Sequence, residues 1–277
     1  LDFRQLWING QKAVRARDVA DFEKMYRIIN NDPQNEILWV PAAAVKKIQK
    51  ARYAEMVLHE MWCVASLRIK SVEIQGDSAA VRFHHPESRI QFEHPWPRPM
   101  VTKDGHNSAF YLTNAMELLD EPGEWYHDIE SRKIYYYPRK GEKISKAVVP
   151  GIETLVWVEG TIDRPVKHIR FDNIAFQYTT WMRPSLQGHV PLQAGMYMTD
   201  GYKIRPSMIR KNNHKLDNQG WLGRPASAVV VKAARDIDFE KCRFQHLGST
   251  GIDYEWATDG GHINLSLIHI SEPTRPI

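Results

Sequence analysis

HIRFDNIAFQY (residues 168–178) and DIDFEKCRFQH (residues 236–246) decide the reading of this chain. The two segments align without a gap. Ile169 falls on Ile237, Phe171 on Phe239, Ile174 on Cys242, Phe176 on Phe244 and Gln177 on Gln245. In each copy apolar residues alternate, pause for two positions and alternate again, which predicts two short strands joined by a tight turn. A third copy is expected at His262-Ile263-Asn264, about 26 residues after the second. A period in the twenties built from short strands with polar corners predicts a coil of a right-handed parallel β-helix, in which each coil buries its inward residues against the next. Cys242, aligned with Ile174, is then a small buried apolar residue rather than a reactive thiol.

The first two copies lie 68 residues apart, so the excess, residues 180–225, is expected to leave the coil at a corner as a long insertion. Such excursions often form a binding face. This one holds Trp181, Arg183, His189, Met196, Met198, Tyr202, Met208, His214, Trp221 and Arg224. Upstream, LLDEPGEWYHDIESRKIYYYP (residues 118–138) predicts a β-hairpin turning at residues 129–132. Residues 18–109 have another texture. Helix is expected at 22–31 and 42–48 and strands at 57–70, 71–75, 79–83 and 90–92, with Gln75-Gly76-Asp77 as a hairpin turn. The fold expected is therefore mainly β. Residues 1–17 start the β-helix region, 18–109 form an inserted mixed, mainly antiparallel module, and 110–264 hold the hairpin and first coils.

The bulk numbers exclude several classes. With 37 basic and 33 acidic residues the net charge is +4, too balanced and too scattered for a nucleic-acid footprint. No apolar run has the length of a membrane span. Cys63 and Cys242 do not make a disulfide framework. Residues 265–275 read LSLIHISEPTR, which matches a translated sequencing adapter. Residues 265–277 are therefore expected to be an artefact with no stable partner, and the chain to be a fragment cut at both ends.

FRQLWINGQKAVRAR (3–17), RIQFEHPWP (89–97), LLDEPGEWYHD (118–128), KIYYYPRKGE (133–142), VEGTIDRPVKHIRFDNIAFQYTTW (158–181) and HLGSTGIDYEW (246–256) together resemble one family. It is the group of bacterial right-handed parallel β-helix proteins of the pectate-lyase-like superfamily related to glycoside hydrolase family 141. The resemblance implies a parent that hydrolyses plant or host polysaccharide and is secreted, periplasmic or at the cell surface. It also implies a β-rich module inserted early in the solenoid, and catalytic carboxylates on coils later than those present here.

A glycosidase needs two carboxyl groups across the scissile bond. Asp253 and Glu255 in TGIDYEW are the candidate catalytic pair, because a spacing of two on a strand puts both on one face; Asp259 is a third carboxylate nearby. Trp181, Arg183, His189, Trp221 and His246 are the candidate substrate-binding residues. His84, His85 and His94 lack metal-site spacing, so no zinc is assigned. A lyase would pair Ca²⁺ with a basic residue; Asp236 and Asp238 have a suitable spacing, and Lys232, Arg235 and Arg243 lie close in sequence. No cofactor is expected otherwise, and no Gly-rich phosphate loop, Gly-x-Ser-x-Gly or Cys-x-x-Cys is present. The partner expected is a polysaccharide or oligosaccharide, with no nucleic acid and no membrane. A β-helix lyase and a non-catalytic glycan-binding or surface protein are the alternatives.

Overall fold

A computed structural model describes residues 2–93, 97–193, 195–201, 203–205, 215–217, 222–264 and 267–269. The chain is mainly β and divides into two compact units. One comprises Leu1–Ala13, Lys143–Met182 and Pro225–Ile277, the other Val14–Glu142 and Arg183–Arg224.

The first unit is built from three parallel ladders. Val156–Glu159, Ser227–Lys232 and Thr250–Tyr254 form one. Val166–Asp172 and Ala234–Glu240 form the second, extended by Thr258–Asp259 and Ile263–Asn264. Ala175–Gln177, Arg243–Gln245 and Leu267–His269 form the third. The repeat predicted from sequence is this register: Ile169 pairs with Ile237, Phe171 with Phe239 and Phe176 with Phe244. Identical side chains then lie one above another. The rings of Phe171 and Phe239 stack at 4.9 Å and those of Phe176 and Phe244 at 4.7 Å. Phe239, Phe244 and Cys242 are fully buried, with Ala228, Val229 and Val231 in the same core. The strand Ser227–Lys232 reads as an unbroken apolar run because it is flanked by a parallel strand on each side and buried on both faces.

Each copy bends at three residues in the left-handed region: His168, Asn173 and Tyr178 in the first, and Asp236, Lys241 and His246 in the second. Asn173 and Lys241 turn the chain from the second ladder to the third and Tyr178 and His246 follow the third, whereas His168 and Asp236 lie within the strands of the second. At the close of the second copy Gly248 lies against the Thr180 backbone, where a Cβ would sit 2.3 Å from the carbonyl carbon. That contact requires glycine.

Two expectations for this unit are corrected. The third copy is offset by 24 positions, not 26: Ile263 pairs with Phe239 and Asn264 with Glu240. A slip of two keeps every side chain on its face, so alternation alone does not distinguish the two registers. The expectation that residues 265–277 find no partner also fails for Leu267–His269, which pairs in parallel with Arg243–Gln245. A free strand edge bonds through backbone groups and accepts extended segments of many sequences. Residues 265, 266 and 270–277 lie outside the described residues.

The second unit holds a seven-stranded antiparallel sheet. Its spatial order is Tyr26–Arg27, Ala109–Thr113, Glu55–His59, Val64–Gln75, Ser78–Phe83, Ile37–Pro41 and Asn30–Asp32. One face is packed by Met56, Leu58, Leu67, Val81 and Phe110, joined by Ala44 and Val45 of the helix Ala42–Val45 and by Ile90 and Phe92 of the helix Glu87–Glu93. Gln75-Gly76-Asp77 forms the predicted hairpin turn, with Gly76 at φ 62°. Glu124–Asp128 and Lys133–Tyr136 form the predicted second hairpin.

Three local expectations fail here. The predicted helix at 22–31 is a single 3-10 turn, Phe22–Lys24, followed by the strands Tyr26–Arg27 and Asn30–Asp32. The predicted strand at 90–92 belongs to the helix Glu87–Glu93. The 57–70 run is interrupted, with strands at Glu55–His59 and Val64–Gln75. The Arg183–Arg224 segment belongs to this unit. It opens with the helix Arg183–Gln187, and its Val190, Leu192 and Met198 are buried in the sheet's core.

Candidate functional site

The first ladder has an inward and an outward face set by strand alternation. Val158, Val229 and Val231 point into the core, with Ile252 and Tyr254 packed against it. Trp157, Lys232, Asp253 and Glu255 therefore point outward: Trp157 pairs with Val230, Val230 with Asp253, and the Glu255 amide donates to the Val231 carbonyl at 2.9 Å. Trp157 is 56% exposed and Trp256 48%. The Lys232 ammonium lies 4.6 Å from the centre of the Trp157 ring and 3.4 Å from Glu255 Oε2. Only about a fifth of each partner in that ion pair is exposed. One outward row thus combines an exposed indole, an anchored cation and two half-buried carboxylates around Val230, which is itself buried. Such a row can stack on the C–H face of a sugar and hydrogen-bond its hydroxyls.

The structure places the sequence-derived site residues in different roles. Asp253 and Glu255 share the outward face just described. His246 is part of an aromatic packing. The Trp7 indole, fully buried, donates from Nε1 to His246 Nδ1 at 3.2 Å, and Tyr178 stacks on the imidazole at 5.1 Å. Tyr178 and His246 are aligned residues of the repeat, so their stacking continues the phenylalanine column. Trp181 is half-buried in the same unit, between Thr180, whose amide donates to Ile152, and Met182, whose amide donates to Glu153.

Arg183 and His189 lie in the second unit. The Arg183 guanidinium sits 3.9 Å from the Tyr197 ring centre and donates to Gln187 Oε1 at 2.6 Å and to the Met198 carbonyl at 3.3 Å. Burial pushes its pKa down, against the opposing pull of Tyr197 and Glu87. His189 exchanges both backbone hydrogen bonds with Ser66 and meets Tyr197 edge-on at 6.1 Å. Both residues are tied into this unit's packing. Trp221, Tyr202, Met208, His214 and His94 lie outside the described residues.

The residues considered for calcium are engaged otherwise. His168 Nδ1 lies 3.1 Å from Asp236 Oδ2, and His262 Nδ1 3.2 Å from Asp238 Oδ1. Among the described residues no three His, Cys, Asp or Glu side chains converge as metal ligands. Arg235 and Arg243 are exposed, and Asp259 pairs through its backbone with Arg235. Among the described residues no helix is long and apolar enough to cross a membrane.

Sequence reasoning missed Trp157. The signal available was the alternation Val156-Trp157-Val158-Glu159, which puts Trp157 on the face opposite the two valines.

Comparison with known proteins places the first half of the chain in a family. The model of the GH141 insertion domain matches residues 1–139. The chain belongs to the GH141 insertion domain family. It is also similar to a solved structure described as "Glycoside hydrolase", with 70% sequence identity and a TM-score of 0.90. That match covers 95% of this chain and 46% of the other, so the chain spans about half the length of that protein. Among curated proteins none matches this chain.

Proposed function

We propose that this chain is part of a glycoside hydrolase acting on plant or host polysaccharide, and that its three ladders are the faces of a right-handed parallel β-helix to which each repeat contributes one coil. The observation that carries the reading is the 70% identity, with a TM-score of 0.90 over 95% of the chain, to a protein described as a glycoside hydrolase. The outward row of Trp157, Lys232, Asp253 and Glu255 supports it from chemistry. Trp157 gives a sugar ring an apolar platform, Lys232 is fixed as a hydrogen-bond donor, and the carboxylates accept from hydroxyls. In this reading Asp253 and Glu255 line the near edge of the glycan cleft. The parent acts outside the cytoplasm, where polysaccharide is met.

A β-eliminating lyase needs a free base beside the uronate, and Lys232 is held by Glu255 and Trp157. Hydrolysis therefore fits this face better than elimination. The test is retention of the chain on insoluble plant polysaccharides, with product analysis of the supernatant. Retention that Trp157→Ala lowers about tenfold or more at unchanged melting temperature supports the reading; loss of one stacked aromatic is worth about 1–3 kcal/mol in comparable contacts. New reducing ends mark hydrolysis and ultraviolet-absorbing unsaturated ends mark elimination. Retention untouched by Trp157→Ala removes the proposed face.

A further inference from the structure

Outside the outward row, the second unit contains a cleft of about 440 Å³ at the edge strand Tyr26–Arg27 of the seven-stranded sheet. That is within the usual range for small-ligand sites, about 300–1,000 Å³. Its walls include Phe22, Arg27, His59, Met100 and Asn107. Arg27 is the group that needs an explanation. Its guanidinium lies 4.5 Å from the centre of the Phe22 ring, and its one hydrogen bond within the described residues is a long one, 3.5 Å, to the Phe22 carbonyl. Among the described residues no carboxylate stands within ion-pair distance of it.

The carboxylates in the cleft wall do not serve as its counter-ion. The Glu60 carboxyl accepts from the Gln91 amide and from the Cys63 thiol. Burial pushes its pKa up to about 8, so it is largely uncharged at neutral pH. Glu23 is exposed at the rim. Burial, with a smaller push from Arg27, also holds His59 below the usual histidine range. Arg27 is thus a lone positive charge beside a neutral imidazole and an aromatic ring. A guanidinium fork is complementary to a planar carboxylate, which it binds through two parallel hydrogen bonds.

We propose that this cleft is a carbohydrate-binding site that holds the carboxylate of a uronic acid residue against the Arg27 guanidinium. The ring hydroxyls of such a residue match His59, and its C–H groups match Phe22 and Met100. The inference draws on the glycan reading above only in choosing a sugar over other carboxylates. It makes no use of bond cleavage, so a chain that cleaves nothing leaves it intact.

The test is calorimetric titration of the full chain with glucuronate, galacturonate, glucose, acetate and inorganic phosphate, and with polygalacturonate to separate a free sugar from a residue within a polymer. A uronate is expected to bind while glucose does not compete. Arg27→Gln should weaken uronate binding about tenfold or more, and Arg27→Lys, which keeps the charge but loses the fork, by an intermediate factor. Melting temperature checks the fold of each variant. Should Arg27→Gln fail to fold, a shift of the Arg27 side-chain N–H resonances on adding glucuronate to the unaltered chain decides instead. Uronate binding that is absent, or indifferent to Arg27, overturns the proposal. Acetate or phosphate displacing the uronate at equal concentration overturns its sugar part.

Discussion

Replacing Phe239 by alanine should destabilise the ladder unit far more than any surface change, and the size follows from its surroundings. The ring is fully buried, stacks on Phe171 at 4.9 Å, and meets Phe176, Phe244 and Tyr254 edge-on at 6.2, 5.8 and 6.5 Å. Truncating a buried phenylalanine removes its transfer free energy and leaves a cavity, together about 3–5 kcal/mol. Phe171 is only half-buried, so Phe171→Ala should cost less, about 1–3 kcal/mol. The two residues are also in direct contact. The double variant should therefore cost less than the sum of the single ones, by about 0.5–1.5 kcal/mol, the coupling of an aromatic pair. Urea unfolding followed by tryptophan fluorescence reads all three, since Trp7 is buried in the same unit. A Phe239→Ala cost under about 1 kcal/mol, or strict additivity of the pair, would refute the stacked column.

Two further predictions address backbone and charge. Lys241 holds φ 53° at the corner where its aligned partner Asn173 holds φ 55°; Lys241→Asn should raise stability by about 0.5–1 kcal/mol in the same urea titration, because asparagine tolerates that region better. Glu60 has its pKa raised by burial from 4.5 to about 8, so its folded form binds the proton more tightly than the unfolded chain. Its contribution is then fully present below about pH 4.5 and is lost as the pH rises towards 8. Glu60→Gln should flatten that fall, which is on the order of 5 kcal/mol, in melts taken from pH 4 to 9; an unchanged slope would remove Glu60 as its source.

The column was legible in the sequence because two independent signals coincide. Alternation at residues 169–177 and 237–245 marks the strands, and identical residues at matching places mark the register. The third repeat was legible only modulo two, since shifting Ile263 from Ile237 to Phe239 changes no side chain's face. The segment 22–31 misled because FEKMYRIIN has helical spacing, yet its residues complete both edges of a sheet. Tyr26 and Arg27 bond to the strand Ala109–Thr113, and Asn30–Asp32 to the strand Ile37–Pro41. Those partners are remote or come later in the chain, and pairing overrides local preference. Ile90 and Phe92 read as a strand for the opposite reason: three residues are too few to separate a strand from one face of a short helix.

The candidate site was legible in part. The shared face of Asp253 and Glu255 follows from spacing, whereas the ion pair of Glu255 with Lys232 depends on which strands are neighbours. His246 is a substrate-binding candidate from sequence because it flanks the TGIDYEW segment. Its alignment with Tyr178 was the sign that it packs. Arg183 and His189 were placed on an open insertion, but that insertion supplies Val190, Leu192 and Met198 to a buried core.

The successive repeats lie in parallel register, and a cross-link reads this most directly. Lys167 and Arg235 are both exposed and paired. In a Cys63→Ser background, Lys167→Cys with Arg235→Cys should close a disulfide under mild oxidation, seen as a mobility shift that a reductant reverses. Lys167→Cys with Asp238→Cys, three residues out of register, should stay open. Closure of the second pair, or failure of the first, would contradict the register and with it the outward row that supports the glycan reading.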